Sequence, residues 1–490
     1  MADYDLAIVG GGINGAGIAR DAAGRGLRVL LIEQDDLASG TSQSSTKLIH
    51  GGLRYLEAGA FMLVREALSE RELLLRMAPH LVRPMRFVLP ADPGPRPAWM
   101  LRLGLFMYDW LGARKILPGT RTLDLTHHPA GDPLMRKFRS GFEYSDCAVD
   151  GSRMVVLNAV DAAERGATIR TRARLARAER EAEWRLILNV KGLREVATAR
   201  ALVNAAGPWV GSVAQTVIRL PGEQPVRLIK GSHIVVRKLF DHDSGYIFQL
   251  PEKRIVFALP FAGEFTLIGT TNKEFDGGLD SLAPDADEVV YLCNAANEFF
   301  RTRVGPDDVV WAFAGVRALY DDGAGRPEDV TRDYYLALDE RFGAAPLLTV
   351  YGGKITTFRR LAEDALGKLA HFFQMNRRWT ATAPLPGGDF LWDGIGTRVA
   401  QTLRSWPFLR EDEAQRMVRA YGTRIDRIMR AATRREDIGP FFGPLSAAEV
   451  RYLMHQEFAR EPDDVLWRRS KLGLVLDAEE KATLAAFMTG

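Results

Sequence analysis

The sequence predicts an α/β protein in three parts: a domain with a parallel sheet and a glycine-rich phosphate-binding turn, an antiparallel β-rich part, and a C-terminal helical domain. Three observations carry this. An apolar run, a glycine turn, a helical stretch and a second apolar run follow one another in "YDLAIVGGGINGAGIARDAAGRGLRVLLIE", Tyr4 to Glu33. The same plan returns in "LLTVYGGKITTFRRLAEDALGKLAHFF", Leu347 to Phe373, as an apolar strand, Gly352 and Gly353, then Lys354 at the start of an amphipathic helix. Short β-rich runs alternate with turns in between, and the chain turns helical beyond "ATAPLPGGD", Ala381 to Asp389.

The opening segment has the order of a βαβ unit, which makes it a Rossmann-like start. Gly10 permits a tight turn, Gly12 lets the main chain approach a pyrophosphate, and Gly15 lets helix and strand pack closely. Free N–H groups and the helix dipole then face the phosphates. Glu33 ends the second apolar run, where a carboxylate accepts from a ribose hydroxyl and disfavours a 2′-phosphate. This unit alone does not separate NAD from FAD. Directly after it, "SGTSQSSTK" (Ser39 to Lys47) is a hydroxyl-rich loop suited to phosphate or cofactor contacts. "LVNAAGPWVGSVA" (Leu202 to Ala214) is a strand that breaks into small residues at Gly207, as where backbone lies against a ligand. A lysine at a helix N-terminus, as at Lys354, stabilises negative charge on a reduced flavin, and contact from both ends of a long chain favours FAD.

The expected flavin domain is discontinuous, 1–75, 145–215 and 315–382; a substrate and membrane-facing part takes 76–144 and 216–314, and the helical domain 389–490. In that last domain Ser446 and Glu449 form a capping box ahead of helically spaced Val450, Leu453, Met454 and Phe458. "RPAWMLRLGLFMYDWLGARKILPGTR" (Arg96 to Arg121) mixes Trp99, Leu103, Phe106, Trp110 and Ile116 with Arg102, Arg114, Lys115 and Arg121. Seven basic residues against two acidic ones from Leu81 to Arg121 suit adsorption on an anionic lipid surface.

Composition narrows the function. With 490 residues, 47% of them hydrophobic, the chain buries a large core, and a net charge of +3 is too mild for a nucleic-acid partner. Cys147 and Cys293 have no metal-ligand or CxxC spacing, so a reducing compartment is expected, with no disulfide and no metal. No secretory signal and no run of about 18 apolar residues is present, which implies a cytoplasmic chain without a spanning helix.

"GTSQSSTKLIHGGLRYLE" (Gly40 to Glu57), together with "KGSHIVV", "LIGTTNKEFDG", "AGVRALYDDG", "TRDYYL" and "YGGKITTFRRLAEDAL", resembles the FAD-dependent, aerobic sn-glycerol-3-phosphate dehydrogenase family. The resemblance runs from Asp3 to about Lys368, and "DVLWRRSKLGL" resembles the family's C-terminal helical domain. It implies a flavoprotein fold of the D-amino-acid-oxidase type. It also implies oxidation of glycerol 3-phosphate to dihydroxyacetone phosphate, with electrons passed to ubiquinone. Such enzymes are homodimers on the membrane surface, here the cytoplasmic face of the inner membrane. The absence of the mitochondrial extensions points to a bacterial type.

A phosphate substrate calls for guanidinium forks. Composition alone makes any one arginine a solvated or structural cation, whereas the resemblance assigns Arg54, Arg317 and Arg332 to the substrate, with Tyr55 and Thr270 as weaker hydroxyl donors. His233, on a strand-like alternating segment, is the expected base, since oxidising an alcohol removes a proton from oxygen and a hydride from carbon. Lys354 and Arg317 stabilise the developing alkoxide and the flavin anion. His50 contacts the flavin or shapes its turn. The resemblance completes the cofactor set with Asn14, Thr41, Ser42, Ser45, Lys47, Gly51, Gly207, Gly352, Gly353 and Thr356. The alternatives are an oxygen-reducing flavin oxidase of glycerol 3-phosphate or an amine, and a non-catalytic flavin-binding module.

Overall fold

The computed structural model describes residues 2–57, 59–92, 96–112, 116–222, 225–252, 254–321 and 333–490. Arg332 and the side chain of Arg54, both expected in the substrate site, lie outside what it describes.

The opening unit forms as read. Tyr4–Val9, helix Ile13–Gly24 and Val29–Ile32 make a βαβ unit, with Leu6 level with Val29 on one side and Ala201 on the other. The sheet runs in the order Tyr335–Asp339, Leu347–Tyr351, Leu193–Asn204, Tyr4–Val9, Val29–Ile32, Thr168–Arg170. All pairs are parallel except that of Tyr335–Asp339 with Leu347–Tyr351. Parallel strands need both faces covered. Helices Ile13–Gly24, Gly151–Glu164 and Phe358–Lys368 bury Ile18, Ala22, Val155, Ala159, Leu361 and Ala365 on one face. The meander Ala173–Arg180, Trp184–Val190, Leu193–Asn204 covers the other with Trp184 and Leu186.

A second, ten-stranded sheet carries the antiparallel part. Its strand Val226–Arg237 alternates faces, as the period of two requires. Ile234 and Val236 join helix Ala286–Asn297 in one core, and Val235 joins helices Phe61–Met77 and Ala98–Leu111 in another. The boundaries expected at 145 and 315 fall inside strands. Ser140–Val149 pairs along Val82–Asp92, and Val309–Tyr320 pairs along Val226–Arg237 from Val236↔Val309 to Val226↔Tyr320, so both belong to the second sheet on either side of those positions. A continuous apolar strand shows no break in sequence where it leaves one layer and reaches another.

The C-terminal helices enclose their own core around Met417, Ile425, Val450 and Leu453. The capping box is present: Glu449 N–H donates to Ser446 Oγ at 3.2 Å and Ser446 N–H to the Glu449 carboxylate at 3.3 Å. The Pro- and Gly-rich stretch Ala381 to Asp389 is pinned, with Leu385 N–H donating to the Met77 carbonyl at 2.9 Å and Arg20 to the Ala383 carbonyl at 3.1 Å. Buried ion pairs bolt this domain to the first. Glu457 holds Arg153, with Nη2 to Oε1 at 2.9 Å, and Asp464 holds Arg172 at 2.8 Å. Arg468 and Arg469 both donate to the fully buried Asp36.

Glu457→Ala strands the Arg153 guanidinium in the interior, and loss of one partner of a buried pair costs about 3–5 kcal/mol. Urea denaturation should show a loss of that size, with the C-terminal domain detaching first.

Candidate active site

The two sheets meet over a cleft of about 390 Å³, and the glycine turn is its floor. Gly10 adopts φ +110°, and a Cβ there would lie 2.4 Å from the Ala205 carbonyl oxygen. Gly15 is as close to Gly10: an added Cβ would sit 1.9 Å from its carbonyl oxygen. Main chain packed this tightly leaves no room for side chains between strand end and helix start. Helix Ile13–Gly24 therefore opens into the cleft with a bare N-cap at Gly12. Ser42 Oγ accepts from the Ile13 N–H at 3.0 Å and satisfies one of the helix's free donors from outside the helix. Asn14 Nδ2 donates to the Gly352 carbonyl at 3.0 Å, tying the two glycine turns together, while Asn14 Oδ1 is buried without a hydrogen-bond partner among the described residues. Glu33 accepts from the Gly11 N–H at 2.6 Å and the Asp35 N–H at 2.8 Å. Burial outweighs those bonds and pushes its carboxyl up to about 7.

The upper wall brings the expected chemistry together. Gly207, Gly352, Gly353, Thr41, Ser45, His50, Tyr55, Thr356 and Thr270 line the cleft with His233, Arg317 and Lys354. Thr41 donates its hydroxyl to the Val316 carbonyl, and Thr356 Oγ1 accepts from His50 N–H at 3.4 Å. Arg317 donates to Asn272 Oδ1 at 2.9 Å. Lys354 Nζ lies 4.2 Å from the centre of the Tyr55 ring and is buried with no hydrogen-bond partner among the described residues. His233 is only 2% exposed; its ring stacks on Phe313 at 5.0 Å and Nε2 pairs with Thr46 Oγ1 at 3.0 Å. Burial, then the positive charges of Lys47 and Arg317, push its pKa down to about 3. His50 is half-buried and held at about 4, by burial first and by Lys354 and Arg71.

Three expected cofactor residues do not reach the cleft. Lys47 bonds the Gln43 carbonyl and lies over the Phe313 ring at 4.9 Å, which turns its amine into the core beside His233. Gly51 faces helices Phe61–Met77 and Ala98–Leu111, donating to the Tyr108 hydroxyl at 2.7 Å. Gly15 acts only through close packing on Gly10. Sequence reading also missed lining residues. Pro208, Trp209 and Asn272 stand inside motifs already quoted, whereas Ala173 to Leu175 carry no sequence signal and arrive through the meander.

A tight glycine turn at a helix N-terminus, a carboxyl at the end of the second strand and a second glycine turn with a lysine, all lining one cleft, are the arrangement of a dinucleotide-dependent oxidoreductase. The chain belongs to the FAD dependent oxidoreductase family, whose model matches residues 5–359; residues 378–488 match the C-terminal domain of alpha-glycerophosphate oxidase. It is 50% identical to a D-erythritol 1-phosphate dehydrogenase of Brucella abortus, over 98% of this chain and 96% of that one. A glycerol-3-phosphate dehydrogenase of Pseudomonas aeruginosa is 49% identical, over 99% and 95%. Among solved structures, the glycerol-3-phosphate dehydrogenase from Bacillus halodurans complexed with FAD superposes with a TM-score of 0.77 at 25% identity, covering 99% and 94% of the two chains. FAD is the cofactor, and the residues present fit it: a helix N-terminus and Glu33 for the adenine-dinucleotide half, and a buried ammonium with no hydrogen-bond partner among the described residues for an electron-rich ring.

The raised Glu33 pKa gives a signed pH effect. The folded apoprotein keeps a proton that the unfolded chain releases above about 4.5, so this group's contribution to stability is largest below that value and is lost as pH rises through about 7. In melts of the apoprotein between pH 5 and 8, Glu33→Gln should flatten this part of the curve.

Proposed function

We propose that the protein oxidises the secondary alcohol of sn-glycerol 3-phosphate to dihydroxyacetone phosphate and passes the electrons to ubiquinone at a membrane surface. The observation that carries this reading is a cationic wall, Arg317 with Lys354, whose Nζ has no hydrogen-bond partner among the described residues, facing the flavin cleft of a chain 49% identical to a glycerol-3-phosphate dehydrogenase. When bound, FAD supplies the hydride acceptor at N5. Arg317 and Lys354 bind the anionic substrate and hold negative charge as the alcohol loses its proton. Arg54 and Arg332 complete the phosphate site in this reading, with Tyr55 and Thr270 as hydroxyl donors. His233 takes the proton, being neutral at working pH with Nδ1 unbonded among the described residues. His50 is the second reading for the base, because it is neutral too and more open to the cleft.

The Brucella relative's name raises a longer polyol phosphate, so both esters enter the test. Anaerobic addition of sn-glycerol 3-phosphate should bleach the oxidised flavin band, while glycerol leaves it unchanged. Bleaching by D-erythritol 1-phosphate alone would overturn the substrate, and peroxide formation outrunning quinone reduction would favour the oxidase. Arg317→Ala removes a charge-assisted hydrogen bond worth about 1.5–3 kcal/mol, so the half-saturating substrate concentration should rise roughly 10- to 150-fold.

Among the described residues no helix is long and apolar enough to cross a membrane. Helix Ala98–Leu111 instead exposes Trp99, Leu103, Phe106 and Trp110, three of them more than 60% accessible, and this face supports peripheral docking. Arg114 and Lys115, expected beside it, lie outside the described residues. The double variant Trp99→Ser, Phe106→Ser should lose most of its sedimentation with anionic vesicles while keeping its flavin; light scattering tests the homodimer.

A further inference from the structure

The inner side of helix Ala98–Leu111 carries a buried phenol that the proposed chemistry does not use. Tyr108 is 2% exposed, and its hydroxyl has two tasks. It donates to the Asp146 carboxylate, 2.9 Å from each oxygen, and accepts the Gly51 N–H at 2.7 Å. Asp146 is pinned in turn by Arg71, whose Nη1 reaches Oδ1 at 2.6 Å and the Ser145 carbonyl at 2.8 Å. Arg71, Tyr108 and Asp146 come from two helices and a strand, and all are at most 2% exposed. Ring packing needs no hydroxyl: Tyr108 meets Tyr144 edge-on at 5.8 Å, as a phenylalanine would. On its cleft side the hydroxyl meets a single peptide, the one joining the cleft residue His50 to Gly51, and the Asp146 carboxylate draws on the same Gly51 N–H. Gly51 fits there only because it lacks a side chain, since a Cβ would lie 2.7 Å from the Tyr108 oxygen and 2.6 Å from Leu68 Cδ2. His50 precedes it, and Tyr55, four residues on, faces Lys354.

We propose that Tyr108 is a positioning residue of the active site: with Asp146 and Arg71 behind it, its hydroxyl clamps the Gly51 peptide and so sets the places of His50 and Tyr55 in the cleft wall. What the cleft binds rests on the function proposed above. Loss of the phenol oxygen would leave the Gly51 N–H to Asp146 alone and loosen the wall's anchor while the apolar core stays filled.

Tyr108→Phe in the holoenzyme removes only the hydroxyl. Hydrogen exchange of the segment 48–55 should speed up roughly tenfold, with the first helix, 13–24, unchanged. In anaerobic stopped flow, the half-saturating concentration of sn-glycerol 3-phosphate for flavin reduction should rise roughly fivefold or more, the limiting rate moving less. Combined with His50→Asn, the effects should fall short of multiplying, because both act on one wall. Unchanged exchange at 48–55, faster exchange throughout the chain, or wild-type half-saturation would each overturn the proposal. Should Tyr108→Phe lose flavin, Asp146→Asn, which leaves the phenol and removes its charged support, is read by the same measures. If the ester fails to bleach wild-type flavin, the functional reading falls, and the exchange measurement alone decides on Tyr108.

Discussion

Everything in the cleft depends on main chain meeting main chain at Gly10. The end of the first strand, the start of the first helix and the end of Leu193–Asn204 come within contact of one another without a side chain between them. This contact aims the helix N-terminus outward and brings Asn14 to the Gly352 carbonyl. The second glycine turn is thereby fixed against the first. A bulkier residue at Gly10 or Gly15 would part these segments and disperse the groups they present.

A second constraint is electrostatic. Lys354 Nζ is buried without a hydrogen-bond partner among the described residues, an arrangement that costs free energy in the ligand-free chain. In the function proposed above, cofactor and anionic substrate would supply the missing partner, so part of the binding energy would be stored as unmet charge. The histidines follow the opposite logic. Burial and neighbouring cations keep His233 and His50 neutral, so each is ready to accept a proton but is a weak base. In the reaction proposed above, a cationic wall that steadies the developing alkoxide offsets that weakness.

The C-terminal domain belongs to the site's framework. Its arginines at 468 and 469 grip Asp36, three residues beyond Glu33 in the cleft lining. Trp467 stacks on Trp311 at 4.8 Å, Trp311 on Phe313 at 4.6 Å, and Phe313 carries the His233 ring. Contacts of this kind set both ends of the cleft from one docking surface.

The sequence by itself determined the opening βαβ unit, because glycine spacing, apolar runs and the terminal Glu33 are local properties. The helical character of the last hundred residues and the capping box at Ser446 were legible for the same reason. Most of the wall was legible too, since His233, Arg317, Lys354 and the serine-rich loop sit in compact motifs. Tertiary structure alone decided which face of a motif meets the ligand. Lys47 and Gly51 lie within the same short stretch as Ser45 and His50, yet one amine turns beneath Phe313 and one N–H turns to Tyr108. It also decided that Val309–Tyr320 stays in the antiparallel sheet while its far end lines the cleft, and that Ala173 to Leu175 close the opposite wall. Those outcomes depend on partners far along the chain, 57 residues on for Gly51 and Tyr108, and long-range packing leaves no periodic trace in a single chain.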